Sequence, residues 1–197
     1  MLLRVLRESC PALKGRWPES QAPEDWHGVT MEDGRVVELS LRYMDLGGPV
    51  PAEIGQLTSL EVLYLDHNQL TSVPAEIGQL TSLEKVDLSD NQLTSVPAEI
   101  GQITSLEQLW LSGNQLTSVA AEIWQLTSLT VLNLGGNQLT SLPAEIGQLT
   151  SLEELYLNRN QLTSLPAAVD ELRAAGCDMD LDVGVTVDYR GSGSSRR

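Results

Sequence analysis

The sequence predicts an α/β solenoid, in which short parallel strands line a concave face and short helical turns form a convex face. The phrase L-x-x-[LV]-x-L-x-x-N-Q-L-T-S recurs along most of the chain, with its asparagine every 23 residues. Its L-x-L portion has the period of two that is typical of a strand. The connecting V-P-A-E-I-G-Q-L segment predicts one turn of α- or 3₁₀-helix. Self-similarity at this period indicates stacked repeats. The recurring asparagines are Asn68, Asn91, Asn114, Asn137 and Asn160.

Each repeat supplies apolar side chains that we expect to point inward, while its strand stacks about 4.8 Å from the next. In one repeat this set is Leu60, Leu63, Leu65, Leu70, Val73, Ile77 and Leu80. In the turn, Pro74 suits a helix start, Glu76 suits the first turn, and Gly78 suits a left-handed cap. No repeat can bury its leucines alone, so stability depends on neighbouring repeats and on a cap at each end.

Two polar columns repeat with the leucines. We interpret the recurring asparagine as structural, because an inward amide can bond the backbone groups that a tight turn leaves unpaired. We interpret the repeated glutamates as a solvated acidic stripe on the convex side. These glutamates are Glu53, Glu76, Glu99, Glu122 and Glu145.

The chain divides into four segments: an N-terminal cap over residues 1–35, about six repeats over 36–168, a C-terminal cap over 169–190, and a flexible tail over 191–197. Apolar residues near the N-terminus predict a short amphipathic helix laid over the first strand. A longer last helix is predicted over residues 167–175. The alternation that follows Cys177 predicts one or two cap strands.

Composition limits the partner and the compartment. The formal net charge of −15 disfavours nucleic acid and anionic membrane surfaces, and it favours a protein partner with a basic patch. Cys10 and Cys177 lie outside opposite ends of the array, too far apart for a disulfide. Two free thiols fit a reducing compartment. The first residues lack a signal-peptide core. We therefore expect a cytoplasmic protein that is a monomer or a weak dimer.

The sequence offers little sign of catalysis or of a cofactor. Asp178, Asp180 and Asp182 imitate the start of a calcium loop, but Gly184 is one position late and Tyr189 stands where a bidentate acid is needed. Neither histidine lies in a nucleophile motif, and there is no phosphate-binding glycine loop. We expect no catalytic residue, no metal and no cofactor.

The segment L-T-S-L-P-A-E-I-G-Q-L-T-S-L-E-E-L-Y-L-N-R-N-Q-L, residues 139–162, resembles the intracellular Ras-group leucine-rich repeat proteins. The resemblance covers about residues 60–168. It implies a right-handed horseshoe that binds other proteins, commonly in signalling or immunity, without catalysis of its own. The first repeat resembles the plant receptor type, with Met44 in place of the asparagine. Upstream, D-W-H-G-V-T-M is similar to plant and algal N-terminal caps, but Met31 replaces a cysteine, which argues against a receptor ectodomain.

The repeats differ from one another mainly in columns that a strand must turn towards the concave surface. Tyr64, Trp110 and Tyr156 fall on alternate strands, about 10 Å apart, and form a candidate row of interface anchors. Gly113, Gly135 and Gly136 predict a notch for a partner's loop or helix. The predicted partner-binding residues are Arg42, Tyr43, Tyr64, Asp66, His67, Lys85, Asp87, Asp90, Gln108, Trp110, Asn133, Glu154, Tyr156, Asn158 and Arg159.

These observations favour a non-enzymatic protein-recognition module in signalling or defence. Two alternatives stay open: a consensus-like or engineered scaffold without a selected ligand, and the substrate-selecting part of a larger enzyme. On the convex side the fourth full copy carries Ala120 and Trp124 in place of proline and glycine. Trp124 is either a second contact or dimer seam, or a ring lying flat over neighbouring turns.

Overall fold

The computed structural model describes residues 2–189, and the predicted flexible tail, residues 191–197, lies outside them. Two α-helices sit at the ends, α1 (Leu2–Ser9) and α2 (Ala168–Ala174). The strands are β1 (Val29–Glu32), β2 (Arg35–Ser40), β3 (Gly47–Pro49), β4 (Val62–Tyr64), β5 (Gln69–Ser72), β6 (Lys85–Asp87), β7 (Gln108–Trp110), β8 (Val131–Asn133), β9 (Glu154–Tyr156), β10 (Ser164–Pro166), β11 (Asp178–Asp180) and β12 (Thr186–Asp188). Single 3₁₀ turns connect them, at Pro11–Gly15, Pro23–Asp25, Ala52–Gln56, Ala75–Gln79, Ala98–Gln102, Ala121–Gln125 and Ala144–Gln148.

The main sheet contains eight strands in the order β1-β2-β4-β6-β7-β8-β9-β11. All neighbours are parallel except β1 and β2. Equivalent residues of successive repeats pair directly, as in Leu63 with Val86 and Val86 with Leu109. Two small sheets, β3 with β5 and β10 with β12, lie beside it. The predicted α/β solenoid with parallel strands and short 3₁₀ turns is confirmed.

The interior is one continuous apolar column built from the repeated leucines. Leu60, Leu63, Leu80 and Leu83 are all fully buried, and Ile77 is nearly so. Each large aliphatic side chain that is removed from water in this way contributes roughly 1.5–3 kcal/mol. Because the buried residues of all the repeats form one cluster, the repeats stabilise one another.

The asparagine column joins neighbouring repeats by hydrogen bonds, as predicted. The Asn91 amide donates to the carbonyl of Leu88 in its own repeat and to that of Leu65 in the preceding repeat, both at 3.0 Å. Its Oδ1 accepts the Leu70 backbone N–H at 3.0 Å. In the first repeat, Asn68 Oδ1 accepts the backbone N–H of Met44. This bond is additional to those that each asparagine makes to the preceding repeat, which Asn68 also makes to Leu41 and Leu46.

The N-terminal cap closes the apolar column with α1 and two tryptophans. Trp17 and Trp26 stack with centroids 4.9 Å apart, and both rings are buried. The Arg7 guanidinium donates to the Trp17 carbonyl at 2.6 Å. Gly28 in the W-x-G motif has a clear reason, since a Cβ there would lie 1.9 Å from the Ser40 carbonyl oxygen.

The C-terminal cap is built from α2 and the two predicted strands, β11 and β12. Val169 and Leu172 of α2 are buried. Asp182 accepts the backbone N–H groups of Arg159 at 2.9 Å and Asn160 at 3.1 Å. In inner repeats the equivalent of the Arg159 N–H donates to a carbonyl of the next repeat, as Asp90 does to Ser112. Asp182 thus takes the place of a further repeat.

Two expectations for the convex side are wrong. Gly78 does not adopt a left-handed conformation. Glycine is needed there because a Cβ would lie 2.6 Å from the Glu99 carbonyl oxygen of the next turn. The glutamate stripe keeps access to solvent, since Glu145 is exposed and the other four side chains are partly exposed. Trp124 is only 1% exposed, because the ring is enclosed rather than lying over the turns. It therefore offers neither a contact nor a dimer seam.

We expect Asn114→Ala to lower the free energy of unfolding by at least about 2 kcal/mol, since it leaves buried groups of Leu88, Leu93 and Leu111 without their partner. Urea denaturation measures this change. Gln115→Ala, at an exposed neighbour, is the control and should stay within about 0.5 kcal/mol of wild type. Equal effects of the two substitutions would contradict the structural role of the asparagine.

Candidate binding surface on the concave face

The concave surface is formed by residues that alternate with the buried leucines of the main sheet. Tyr64, Asp87 and Trp110 sit side by side in direct register on β4, β6 and β7. Asn133 and Tyr156 continue the same line on β8 and β9. All five side chains are half-buried, because each is flanked by its neighbours but open above. Most of the predicted binding residues are therefore brought together on one face.

We define the aromatic row as Tyr64, Trp110 and Tyr156. The rings are linked more closely than the strand spacing predicts, since the Trp110 and Tyr156 centroids lie 6.1 Å apart across the intervening strand. Lys85 Nζ lies 5.4 Å from the Tyr64 centroid and 5.9 Å from the Trp110 centroid. The predicted separation of about 10 Å between rings is therefore wrong for Trp110 and Tyr156, because the side chains lean towards each other.

The Tyr64 end of the row carries a cation held by two carboxylates. The Arg42 guanidinium lies 3.7 Å from the Tyr64 centroid. Its Nε is 2.8 Å from Asp66 Oδ1 and its Nη2 is 3.6 Å from Asp87 Oδ2. The contact between Arg42 Nε and Asp66 Oδ1 is an ion pair that lacks the geometry of a hydrogen bond. This buried oxygen therefore accepts no hydrogen bond. Arg42 is thus already engaged within the surface.

Asp66 is a buried carboxylate rather than an exposed contact, contrary to prediction. Burial and the neighbouring Asp87 carboxylate raise the pKa of Asp66, and Arg42 offsets them only in part. Tyr156 shows a similar effect at the other end. Its hydroxyl donates to Glu154 at 2.6 Å, and this bond, together with burial, raises the pKa of Tyr156.

The residue three positions after the end of a concave-face strand has a left-handed backbone conformation. Tyr43, His67, Asp90 and Arg159 adopt φ values of 54°, 54°, 53° and 56°. His67 lies 3.4 Å from Asp90 and 3.9 Å from Asp66, and its ring stacks on Tyr43 with centroids 4.3 Å apart. Tyr43 is 65% exposed. This corner places an open aromatic ring beside carboxylates.

The glycine notch is not open as predicted. Gly113 and Gly136 occupy the left-handed column, with φ values of 65° and 64°, where glycine avoids steric cost. A Cβ on Gly113 would lie 2.2 Å from Asp90 Oδ1, and one on Gly135 would lie 2.5 Å from Asn158 Oδ1. Neighbouring side chains therefore fill the space that the glycines leave.

The remaining predicted residues differ in their availability. Lys85, Gln108 and Glu154 are half-buried at the start of their strands. Asn133 Oδ1 accepts the Gly135 backbone N–H at 3.0 Å, so this amide is partly committed to the fold. The prediction missed an exposed acidic column one residue before the strands. Its sequence signal is the glutamate in L-E-x-[LV], and it comprises Glu61, Glu84, Glu107 and Glu153.

Within residues 2–189 no group of three or more histidine, cysteine or acidic side chains is arranged to hold a metal ion. Over the same residues, every helix is too short or too polar to cross a bilayer. The side chains of the concave face offer aromatic rings, amides and many carboxylates.

We expect Asp66→Asn to raise the free energy of unfolding at neutral pH. A raised pKa means that the folded protein binds the Asp66 proton more tightly than the unfolded chain, so ionisation of this group opposes folding as the pH rises. The gain should vanish when the pH falls below the ordinary aspartate pKa, near about 3.9. Urea denaturation at both pH values measures it. A loss of stability at pH 7 would show that the Arg42 pair dominates instead.

Comparison with known proteins shows which families share this architecture. A model described as a leucine-rich repeat region matches residues 35–137, and a two-copy leucine-rich repeat model matches residues 127–172. The Arabidopsis thaliana LRR receptor-like serine/threonine-protein kinase FEI 2 is 46% identical over 59 residues, which are 28% of this chain and 10% of that protein. The chain thus spans about a tenth of the length of this curated relative.

Two solved structures are similar over much of the chain. A leucine-rich repeat protein from Leptospira interrogans has 41% identity and a TM-score of 0.66, over 72% of this chain and 36% of that one. A plant ice-binding protein has 25% identity and a TM-score of 0.80, over 95% of this chain and 64% of that one. With a family model covering more than half of its residues, the chain belongs to the leucine-rich repeat family.

Proposed function

We propose that this protein is a recognition module that binds another protein through its concave face. Leucine-rich repeat domains generally mediate protein–protein interaction and are generally non-enzymatic. The observation that carries the proposal is the distribution of variation. Successive repeats keep P-A-E-I-G-Q-L-T-S almost unchanged on the convex side, while their concave columns carry different chemistry. Half-exposed Tyr and Trp, the common interface anchors, occupy the centre of that face.

The proposed partner is a protein with a basic patch. Carboxylates dominate the concave face and its edge, where Asp87, Asp90 and Glu154 join the glutamate column that begins at Glu61. Arg42 is held by Asp66 and Asp87. A chain with a net charge of −15 attracts cationic partners and speeds their association at low salt.

We further propose a cytoplasmic signalling or defence role, as a monomer or weak dimer. Burial, with Asp178 and Glu154 nearby, raises the pKa of Cys177 to about 11. Burial likewise raises the pKa of Cys10. Both thiols therefore stay protonated and unreactive at neutral pH, which is compatible with a reducing compartment. Two alternatives differ in what they predict for partner capture. A ligand-free scaffold would capture no specific partner, whereas the substrate-selecting part of a larger enzyme would capture its substrate.

A second candidate function, ice binding, is favoured by an uncharged flank. From the glutamine after each recurring asparagine to the following alanine, the repeats carry no charged residue. The backbone N–H of each of these glutamines from Gln92 onwards donates to a leucine of the preceding repeat, so exposed side chains recur about 4.8 Å apart along the stack. They are Gln69, Gln92, Gln115, Gln138, Gln161, Thr71, Thr94, Thr117, Thr140 and Thr163. Because the chain is similar in structure to a plant ice-binding protein, the ligand proposed for this regular surface is ice.

We expect the variant with Tyr64, Trp110 and Tyr156 all changed to Ala to lose its specific partners in a quantitative pull-down. These three half-buried side chains are the aromatic residues of strands β2 to β9, and Tyr and Trp are common interface anchors. The matched control changes Thr71, Thr117 and Thr163 to Ala on the flank and should capture the wild-type set. Melting curves verify that both variants fold. Capture of the same partners by the two variants would contradict the concave-face proposal.

If the second candidate is right, wild-type protein should inhibit ice recrystallisation, and changing Thr94, Thr117 and Thr140 to Lys should abolish the inhibition. The charges would disrupt the uniform hydroxyl array without touching the core, because these side chains are exposed. The triple Ala variant of the aromatic row should retain it. Wild-type protein that leaves crystal growth unchanged would rule ice binding out.

A further inference from the structure

The C-terminal end of the concave face contains a second copy of the arrangement around Tyr64. Tyr64 pairs in register with Asp87 on the following strand. Tyr156 pairs in the same register with Asp180 on β11. In both places, therefore, an aspartate on the C-terminal side stands directly beside a half-buried tyrosine ring on a parallel strand.

The first copy already shows what such a pair binds. The Arg42 guanidinium stacks over the Tyr64 ring at 3.7 Å and approaches the Asp87 carboxylate at 3.6 Å. A guanidinium suits this geometry because its plane stacks on an aromatic face while its N–H groups reach a carboxylate. The protein's own side chain thus defines the chemistry of the pair.

At the second copy the equivalent of Arg42 is glycine. Arg42 lies two residues after the end of the strand that precedes the Tyr64 strand. Gly135 lies at the same position after the strand that precedes the Tyr156 strand. Asn158 holds the position of Asp66. Within residues 2–189, no lysine or arginine lies over the Tyr156 ring, and Asp178 and Asp180 form no ion pair.

A cavity of about 120 Å³ adjoins this ring, lined by Glu154, Tyr156, Asp178, Met179 and Asp180. Trp110 packs against Tyr156 from the other side. Tyr156 donates to Glu154, which turns that carboxylate towards the ring. The cavity therefore combines an aromatic wall and three carboxylates at the edge of the concave face, whereas the Met179 side chain packs against the core on the other side of β11.

We propose that this cavity, named here the Tyr156 cavity, receives an arginine side chain of the partner protein. The partner supplies in trans the guanidinium that Arg42 supplies in cis at Tyr64. The proposal rests on the proposed recognition function and assigns one contact within it. A guanidinium fits better than an ammonium because a planar cation can stack on Tyr156 while reaching Asp180.

The test is an NMR titration of the full chain with N-acetyl-arginine amide, observing the ring signals of Tyr156 and of Trp110, which stacks on it. Saturable shifts of both are expected. N-acetyl-citrulline amide, which has nearly the same shape without the charge, should leave them unchanged. Asp180→Asn should weaken arginine binding about threefold to fivefold, the loss of one exposed charge pair. Asp90→Asn, an acid of the same face outside the cavity, should not weaken it.

Equal shifts with citrulline, or equal affinities of the Asp180→Asn and Asp90→Asn variants, would overturn the proposal. The proposal would also be overturned if the wild-type chain did not bind the arginine probe and a variant with Arg190, Arg196 and Arg197 changed to Gln did, since the occupant would then be an arginine of the chain itself. Changing Gly135 to Arg together with Asn158 to Asp rebuilds the Arg42 arrangement in cis. This folded double variant should no longer respond to the arginine probe.

Partner capture separates failure of this inference from failure of the proposed function. If the aromatic-row variant loses its partners while Asp180→Asn captures wild-type amounts, the concave face is the binding surface but the Tyr156 cavity takes no partner arginine. If the aromatic-row variant keeps its partners, the proposed function itself fails. We expect the aromatic-row variant to lose its partners and Asp180→Asn to capture them in reduced amount.

Discussion

The amide of the recurring asparagine is the interaction on which the rest of the structure depends. Each strand ends in a tight turn that leaves backbone groups pointing into an apolar interior. One asparagine side chain satisfies donors and acceptors of two repeats at once, as Asn114 does for Leu88, Leu93 and Leu111. Because an unpaired buried polar group is costly, neither the turn nor the register of the strands can change independently of this side chain.

The ends of the solenoid follow from the same constraint. The first repeat has Met44 in place of asparagine, and Asn68 of the next repeat serves its backbone. The last repeat has no successor, and the Asp182 carboxylate accepts the backbone N–H groups left over. Those two bonds also lower the pKa of Asp182. Each end therefore needs a sequence that departs from the repeat, which explains why the caps are irregular.

Periodic features were predictable from the sequence because each repeat supplies the same local information. The strands of the main sheet within the repeats, the inward leucines and the structural asparagine all followed from spacing alone. Features that depend on side-chain size across a repeat boundary were not predictable. Asn158 fills the space at Gly135, and Trp110 leans to 6.1 Å from Tyr156. Trp124 is enclosed although its column otherwise holds glycine.

The candidate surface was only partly predictable for the same reason. Alternation along a strand indicated which side chains face the concave side, but it carried no information about their pairing. The burial of Asp66 depends on Arg42 and Asp87 from neighbouring repeats. The acidic border of Tyr156 comes from β11 in the cap, which lies outside the repeat pattern. The surface is therefore a product of contacts between repeats as much as of the variable columns.

The central claim is that recognition takes place on the concave face, and hydroxyl-radical footprinting of the chain with a captured partner tests it most directly. The account predicts lower oxidation of Tyr64, Trp110 and Tyr156 in the complex, with no change at Tyr189, which is exposed in the C-terminal cap. Unchanged oxidation of the three aromatic residues, with protection elsewhere on the chain, would contradict the account.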